Sequence, residues 1–494
     1  MTPLDLLLVN PGPADEAYQG LKQYAAAIEP PVWAGLIATF IRRRGHSVRV
    51  LDAHALGLTP SAVAEAVAAD PVRLVAIVVY GHHPSASTQV MPAASAIATA
   101  IAQRLPEQHT CLLGGHVAAL PERTLGEEPV TFVAGGEGAH TLAAWLDATN
   151  TTQPAHARIP DLYFREDGHI RRSEVSAPLI ELDDEMPGVA WDLLPMDRYR
   201  AHNWHGFGRS TRAPYAALYT TLGCPYTCSF CCIQAPFLAA SPQRTYRRWS
   251  TASIRAEIRL LTEQYDIQHL KIADELFVLH PGHVDAVCDV LAEAGGHINT
   301  WAYARVDTIR PGQLDRLSRA GVSWLALGIE AGDAAVRTDV DKTCDDTLIV
   351  KTMADAREAG VAIIANYIFG LPHDTAETMQ RTLDLAIALD TEFANFYCTM
   401  AYPGSPLYDR AVREGLPLPA TWAGYAQLGP DAHPLPTATL SSAEVLAFRD
   451  RAFTTWFSRP GYLERLEAQF GVSARREVEA TLAVPLRRRL LERR

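Results

Sequence analysis

The chain has 494 residues, 48% hydrophobic and 20% charged, which suits a globular protein of two or three domains rather than a fibrous or disordered one. Its 56 Asp and Glu outnumber 44 Lys and Arg, and the net charge of −12 argues against a general electrostatic grip on nucleic acid, so no nucleic-acid partner is expected. No apolar run is long enough to cross a bilayer and the start, Met-Thr-Pro-Leu-Asp, lacks a basic leader, so no membrane partner and a cytoplasmic location are expected.

From Leu4 to about Leu146, short apolar runs alternate with helical patterns: Leu4 to Asn10, Val48 to Asp52, Leu74 to Tyr80, Thr110 to Gly115 and Thr131 to Gly136. Such runs are continuous rather than alternating and predict parallel strands buried on both faces, hence a doubly wound α/β domain over residues 1–150. Ligands of these sheets bind at the carboxyl ends of the strands. There lie Asn10-Pro11-Gly12, Tyr80 to Thr88 with Ser85 and Ser87, Gly114-Gly115-His116 and Gly135-Gly136-Glu137-Gly138. Glycine lets a ligand approach the backbone, and hydroxyls can hydrogen-bond to it. Asp52-Ala53-His54-Ala55-Leu56-Gly57 spells D-x-H-x-x-G after the second strand. Of the local basic clusters, Arg42 to Arg44 closes a helix.

Residues 151–214 read as a hairpin turning at Asp167-Gly168, followed by a Pro-, Asp- and Trp-rich connection. Strands and helices then alternate over residues 215–410. The strands are Ala216 to Gly223, His269 to Glu275, Asn299 to Val306, Ser323 to Glu330, Ala362 to Gly370 and Glu392 to Met400. Six strands in this rhythm predict a partial, open (β/α)6 barrel, with its site at the carboxyl ends. Residues 411–494 read as helical and are expected to cover the open side. Arg244, Arg247 and Arg248 form a surface patch, with an anionic substrate as the alternative, and Arg487 to Arg489 with Arg493 and Arg494 read as a solvated terminal helix.

Directly after the first barrel strand come four cysteines in nine residues, Cys224, Cys228, Cys231 and Cys232, three of them spaced C-x-x-x-C-x-x-C. Soft thiolates suit iron–sulfur ligation, and three on one loop can hold three irons and leave a fourth open to a small molecule. A disulfide staple is not needed by a chain of this size. A four-cysteine zinc cage lacks its second pair, because Cys111, Cys288, Cys344 and Cys398 each stand alone. Cys232 reads as a small buried thiol, with a ligand or hydrogen-donor role as the alternative.

The loop, with Phe230 just before the third cysteine, resembles that of the radical S-adenosylmethionine superfamily. The resemblance implies a [4Fe-4S] cluster on Cys224, Cys228 and Cys231. It also implies S-adenosylmethionine contacts at Asp274 and Glu275, at Glu330 in Gly328-Ile-Glu330-Ala-Gly332 (Ala331 replacing the family's Ser) and at Phe369-Gly370. Each of these strand ends could equally serve only to start the next helix. The Gly-Gly-His and Gly-Gly-Glu-Gly turns resemble the cobalamin-binding domain of one branch of that superfamily, as do Trp191 to Pro195 and Tyr402 to Tyr408. Cobalamin contacts are then implied at Asn10, Ser85, Ser87, Thr88, Gly114, Gly115, His116, Gly135, Gly136, Glu137 and Gly138. His54 follows the wrong strand for a cobalt ligand, and His82, His83 and His116 read as loop histidines.

The resemblance implies cleavage of S-adenosylmethionine to a 5′-deoxyadenosyl radical and cobalamin-dependent methylation of an unactivated carbon in a small biosynthetic substrate. The electron would come from a flavodoxin or ferredoxin. Beyond the cluster the catalytic residues are open, with Cys232 and Glu330 as candidates. The enzymatic alternative is radical dehydration, cyclisation or epimerisation without methylcobalamin, and the non-enzymatic one is a cobalamin carrier or sensor.

Overall fold

A computed structural model describes residues 3–22, 26–148, 156–237 and 242–492. Five parallel strands, β1 (Leu4–Asn10), β2 (Val48–Asp52), β3 (Val72–Val78), β4 (Thr110–Leu113) and β5 (Phe132–Ala134), lie in the order β2-β1-β3-β4-β5. Leu6, Leu8, Leu74, Ala76 and Ile77 are fully buried. That explains why these runs are apolar throughout: helices cover both faces. The strands stop earlier than the apolar runs, leaving Tyr80, Gly114-Gly115 and Gly135-Gly136 in the turns beyond.

The hairpin forms as expected, β6 (Leu162–Glu166) and β7 (His169–Arg172). It does not stand free in the connection, because β6 pairs antiparallel with β5 through Phe132–Phe164 and Ala134–Leu162, making a seven-stranded sheet.

The second sheet contains β8 (Tyr215–Leu218), β11 (His269–Ile272), β12 (Asn299–Arg305), β13 (Val322–Glu330), β14 (Ala362–Phe369) and β15 (Phe393–Cys398), all parallel in the order β15-β14-β13-β12-β11-β8. This is the open six-stranded barrel. Its first predicted strand is broken: β8 ends at Leu218, and a short β9 (Thr221–Leu222) pairs antiparallel with β10 (Arg247–Arg248). Inward positions share register, Ala217 with Lys271, Lys271 with Trp301, and Asn366 with Asn395.

The C-terminal region caps the open edge. Gln427 accepts from the Cys398 amide (2.9 Å) and donates to its carbonyl (2.8 Å), and Arg449 on helix Ser442–Phe457 donates to the Phe396 carbonyl (2.7 Å). These bonds satisfy β15 backbone groups that would otherwise be an unpaired edge. The terminal basic cluster departs from expectation. Arg488 is 4% exposed, paired with Asp450 and donating to the Gln427 and Gly429 carbonyls, while Arg493 and Arg494 lie outside the described residues. No described helix is long and apolar enough to cross a membrane.

Candidate active site

The cysteine loop leaves β9 through Gly223, whose φ of +78° and position permit no side chain: a Cβ would stand 2.3 Å from the Thr245 carbonyl oxygen. Gln234 Nε2 donates to the Cys224 carbonyl (2.6 Å), and Thr245 Oγ1 donates to Gln234 (3.1 Å). The Ser229 amide donates to the Val340 carbonyl (3.2 Å), and the Ser229 carbonyl accepts from the Leu407 amide (2.8 Å). The Tyr402 to Tyr408 segment is thereby explained. It anchors the cysteine loop, and Gly404 lets it pass Ala235, which a Cβ would approach to 2.6 Å.

All eight cysteines are free. Burial pushes the Cys224 thiol up to about 11 and the Cys231 thiol well above its usual value, with the neighbouring thiols adding to the second shift. Three mutually repelling sulfurs on one loop favour a group that brings positive charge, and soft donors of this kind fit iron. Cys232 stands outside the C-x-x-x-C-x-x-C spacing but near enough to Cys231 to raise that thiol further; it is 7% exposed among Cys398, Met400 and Tyr402, with Ser85 hydrogen-bonded to it and burial raising its own thiol to about 12.

The barrel strand ends divide into two kinds. Asp274 is a correction: it is fully buried, and its carboxylate accepts from the Thr220 amide (2.6 Å), the Thr220 hydroxyl (2.5 Å) and the Thr221 amide (3.0 Å). It builds the break between β8 and β9 instead of facing a ligand. The Phe369 ring is fully buried against Phe396 and Phe448, which leaves its backbone, the part expected to meet the adenine, at the strand end. Gly370 has φ +79° and meets Val445, while its amide and that of Leu371 donate to Asp374 (both 3.0 Å).

Glu275 and Glu330 do face inward. Glu275 Oε2 is buried without a partner, and burial raises its carboxyl to about 8. Glu330 has φ +65°, costly for a residue with a Cβ, beside a register shift in β13, and its carboxylate is ion-paired with Lys342. Phe230 packs beside Leu407, Tyr408, Ala331 and Leu371, between the barrel ends and the anchoring segment.

Three groups escaped the sequence reading. Arg305, at the end of β12, donates to Cys228 Sγ (3.5 Å). Lys342 holds Glu330. Lys271, fully buried in β11, binds Glu29 (2.8 Å) and the His82 carbonyl (2.8 Å) across 242 and 189 residues. Burial favours the neutral Glu29 carboxyl, but Lys271 and His202 outweigh it and hold the group below the usual range. Burial also drives His82 well below its usual value. Nothing local marks these residues, because their partners lie in other elements.

Between the two sheets runs a crevice lined by Asn10, Gly12, His54, Tyr80, Gly81 and His82 from one side and Ala217, Tyr219 and Ala273 from the other. A smaller extension is lined by Ser87, Gly115, Cys232, Ile233 and Glu275. Trp33 and Tyr80, stacked at 4.1 Å, wall both. A crevice at the strand ends with glycine on one wall and aromatic faces on another fits a large, flat, mostly apolar cofactor.

Several turn residues expected there have other work. Gly114 (φ +131°) packs on β3, where a Cβ would be 2.2 Å from the Val79 carbonyl, and Gly138 meets Leu113. Gly135 and Gly136 meet Asp161 of the hairpin. Glu137 is paired with Arg247 (2.6 Å) and accepts from the Ile180 amide (2.9 Å). That pair corrects the cobalamin reading of Glu137, whose carboxylate is spent on Arg247, and it occupies Arg247 with a protein carboxylate in place of the alternative anionic substrate. Asn10 donates to Asp52 (2.8 Å), Ser87 accepts from the Gly81 amide (3.1 Å), and Thr88 bonds His116 Nδ1 (3.2 Å), whose ring abuts Trp422.

The D-x-H-x-x-G stretch is a capped helical turn. Asp52 accepts from the Ala55 amide at the start of helix Ala53–Leu56, and Gly57 closes it with φ +64°. His54 nevertheless reaches the crevice wall, packed over Gly12.

A family model described as the radical SAM superfamily matches residues 218–386, and one described as the B12 binding domain matches residues 19–146. An uncharacterized methyltransferase of Pyrococcus horikoshii is 26% identical over 465 residues, 94% of each chain. The anaerobic magnesium-protoporphyrin IX monomethyl ester cyclase of Rubrivivax gelatinosus is 25% identical over 392 residues, 77% of this chain and 66% of its own. Among solved structures, the radical S-adenosylmethionine methyltransferase TsrM of Kitasatospora setae, with cobalamin and a [4Fe-4S] cluster bound, is similar with TM-score 0.65 at 18% identity. The match covers 84% of this chain and 75% of that one.

Proposed function

The chain belongs to the cobalamin-binding-domain radical S-adenosylmethionine enzymes, and on that premise we propose that it methylates an unactivated carbon of a small biosynthetic substrate. The observation that carries this reading is the shared wall: Cys232 and Ile233 of the cysteine loop, Glu275 of the barrel and Ser87 and Gly115 of the first sheet line one cavity. Two cofactors held on either side of it would act on the same small molecule. When bound, the cluster supplies the electron that cleaves S-adenosylmethionine to a 5′-deoxyadenosyl radical, and methylcobalamin supplies the methyl group.

The protein's own part is to bind, orient and keep water out. Cys224, Cys228 and Cys231 would hold the cluster. Glu275, with an unpartnered buried oxygen beside the loop, suits an ammonium donor, which would draw its raised pKa down by supplying the missing charge. Lys342 fixes Glu330 in one orientation for a hydroxyl donor, and the Phe369-Gly370 backbone offers a flat edge. Asn10, Ser87 and Gly115, which line the crevice, would meet the corrin, with Ser85, Thr88 and His116 supporting that wall. Trp33, Tyr80 and Tyr219 exclude water from it. A carrier would need neither the cysteine loop nor the inward carboxylates. The electron would come from a flavodoxin or ferredoxin in the cytoplasm.

The test requires no substrate. Anaerobically reconstituted protein given S-adenosylmethionine, hydroxocobalamin and a chemical reductant should form 5′-deoxyadenosine by cleavage and, separately, methylcobalamin with S-adenosylhomocysteine. Cleavage without corrin methylation, unchanged by cobalamin, would overturn the methyltransferase reading in favour of radical dehydration, cyclisation or epimerisation.

A further inference from the structure

We propose that Arg305 is a positioning residue that sets the reduction potential of the cluster through Cys228, with Asp307 as its counterweight. The proposal rests on the cluster reading, and iron content separates failure of that reading from failure of this one. Arg305 is 8% exposed at the carboxyl end of β12. Its Nη1 points at Cys228 Sγ (3.5 Å), while Nε and Nη2 are engaged on the opposite side by the two oxygens of Asp307 (2.9 and 2.8 Å). The Tyr226 ring lies 4.0 Å beneath the guanidinium. The guanidinium is therefore held along one edge by Asp307 and on one face by Tyr226, with Nη1 left to point toward sulfur.

This orientation has an electrostatic consequence. The pair is neutral overall, but its positive end is near the thiolate and its negative end is far from it. Hydrogen bonds to cluster sulfurs and nearby charge are among the levers that set iron–sulfur potentials. Reduction adds one negative charge, which an adjacent cation favours. Asp307 moderates that pull because its own charge opposes reduction from farther away. Among the described contacts neither Cys224 nor Cys231 has a cation hydrogen-bonded to it, although the Arg305 charge reaches Cys224 as well, so the three ligands are unequal, with the direct cation contact at Cys228.

The two partners predict opposite displacements. In full-length protein reconstituted anaerobically, without S-adenosylmethionine, the midpoint potential would be read by dye-mediated titration of the low-temperature electron paramagnetic resonance signal. Iron and sulfide would be measured in parallel. Arg305→Gln should shift the midpoint to more negative values, Asp307→Asn to more positive values, and Arg305→Lys, which keeps the charge, should lie between Arg305→Gln and wild type. Merely structural damage would not move Arg305→Gln and Asp307→Asn in opposite directions. Equal-sign shifts, or no shift with full iron, would overturn the proposal. If Arg305→Gln fails to load iron, Asp307→Asn decides: a positive shift supports the proposal, and none or a negative one refutes it.

Discussion

The cysteine loop and the turns at the carboxyl ends of the first sheet are both glycine-punctuated segments beyond parallel strands, yet they use their residues differently. In the loop, each motif residue either faces the site or fastens the loop: Gly223 clears Thr245, Gln234 holds Cys224, and Leu407 holds Ser229. In the turns, most glycines serve the sheet itself, with Gly114, Gly135, Gly136 and Gly138 all against neighbouring strands or the hairpin. Only Gly115 of that set lines the crevice. A local motif can specify a local site, whereas a cavity between domains is made by whichever walls the fold brings together.

The largest effect should come from the loop. Replacing Cys224, Cys228 or Cys231 with Ala should take iron from about four per chain to background and abolish cleavage of S-adenosylmethionine. Cys232→Ala should retain iron, because its thiol lies outside the C-x-x-x-C-x-x-C spacing and sits in the apolar cluster with Cys398, Met400 and Tyr402; loss of iron on that change alone would break the distinction.

The crevice gives the next effect. A Cβ at Gly115 would approach Ser87 Oγ to 3.0 Å, so Gly115→Phe should fill the smaller cavity. Overpacking of about 1–3 kcal/mol corresponds to cobalamin binding weaker by about 5- to 150-fold, with iron content unchanged. Gly138→Phe should instead lower stability, since it collides with Leu113. Equal loss of corrin in stable protein from both would contradict the assignment of Gly115 to the wall.

Glu137 and Arg247 join the two regions. Removing one partner of a buried pair strands the other, so Arg247→Ala or Glu137→Ala should cost about 3–5 kcal/mol in chemical denaturation. The double variant should cost less than the sum of the singles. Independent effects would mean that the regions are not coupled there.

The smallest effect concerns pH. Glu257 accepts from the Val189 amide (2.9 Å) and Trp191 Nε1 (3.0 Å), and burial raises its carboxyl to about 7 from 4.5. The folded state therefore binds this proton more tightly than the unfolded state. Its contribution is fully present below about pH 4.5 and is lost as pH rises through about 7, with a slope of at most about 1.4 kcal/mol per pH unit. Glu257→Gln should flatten the dependence of stability on pH over that window, and an identical profile would show that Glu257 does not titrate there.

The amino-acid sequence by itself determined the two α/β units, the six barrel strands, the hairpin turn and the cysteine loop. These are carried by short-range features: continuous apolar runs for buried parallel strands, turn residues, and ligand spacing within eight residues. The tertiary structure decided what long-range pairing controls. It placed the hairpin on β5, gave Asp274 to the Thr220–Thr221 turn and sent Glu137 to Arg247. It also brought Glu29 to Lys271 across 242 positions and aimed Arg305 at Cys228 across 77. A carboxylate or guanidinium has the same one-letter symbol whether it meets a cofactor, a backbone amide or another charge, and desolvation makes it take whichever partner the packed chain delivers.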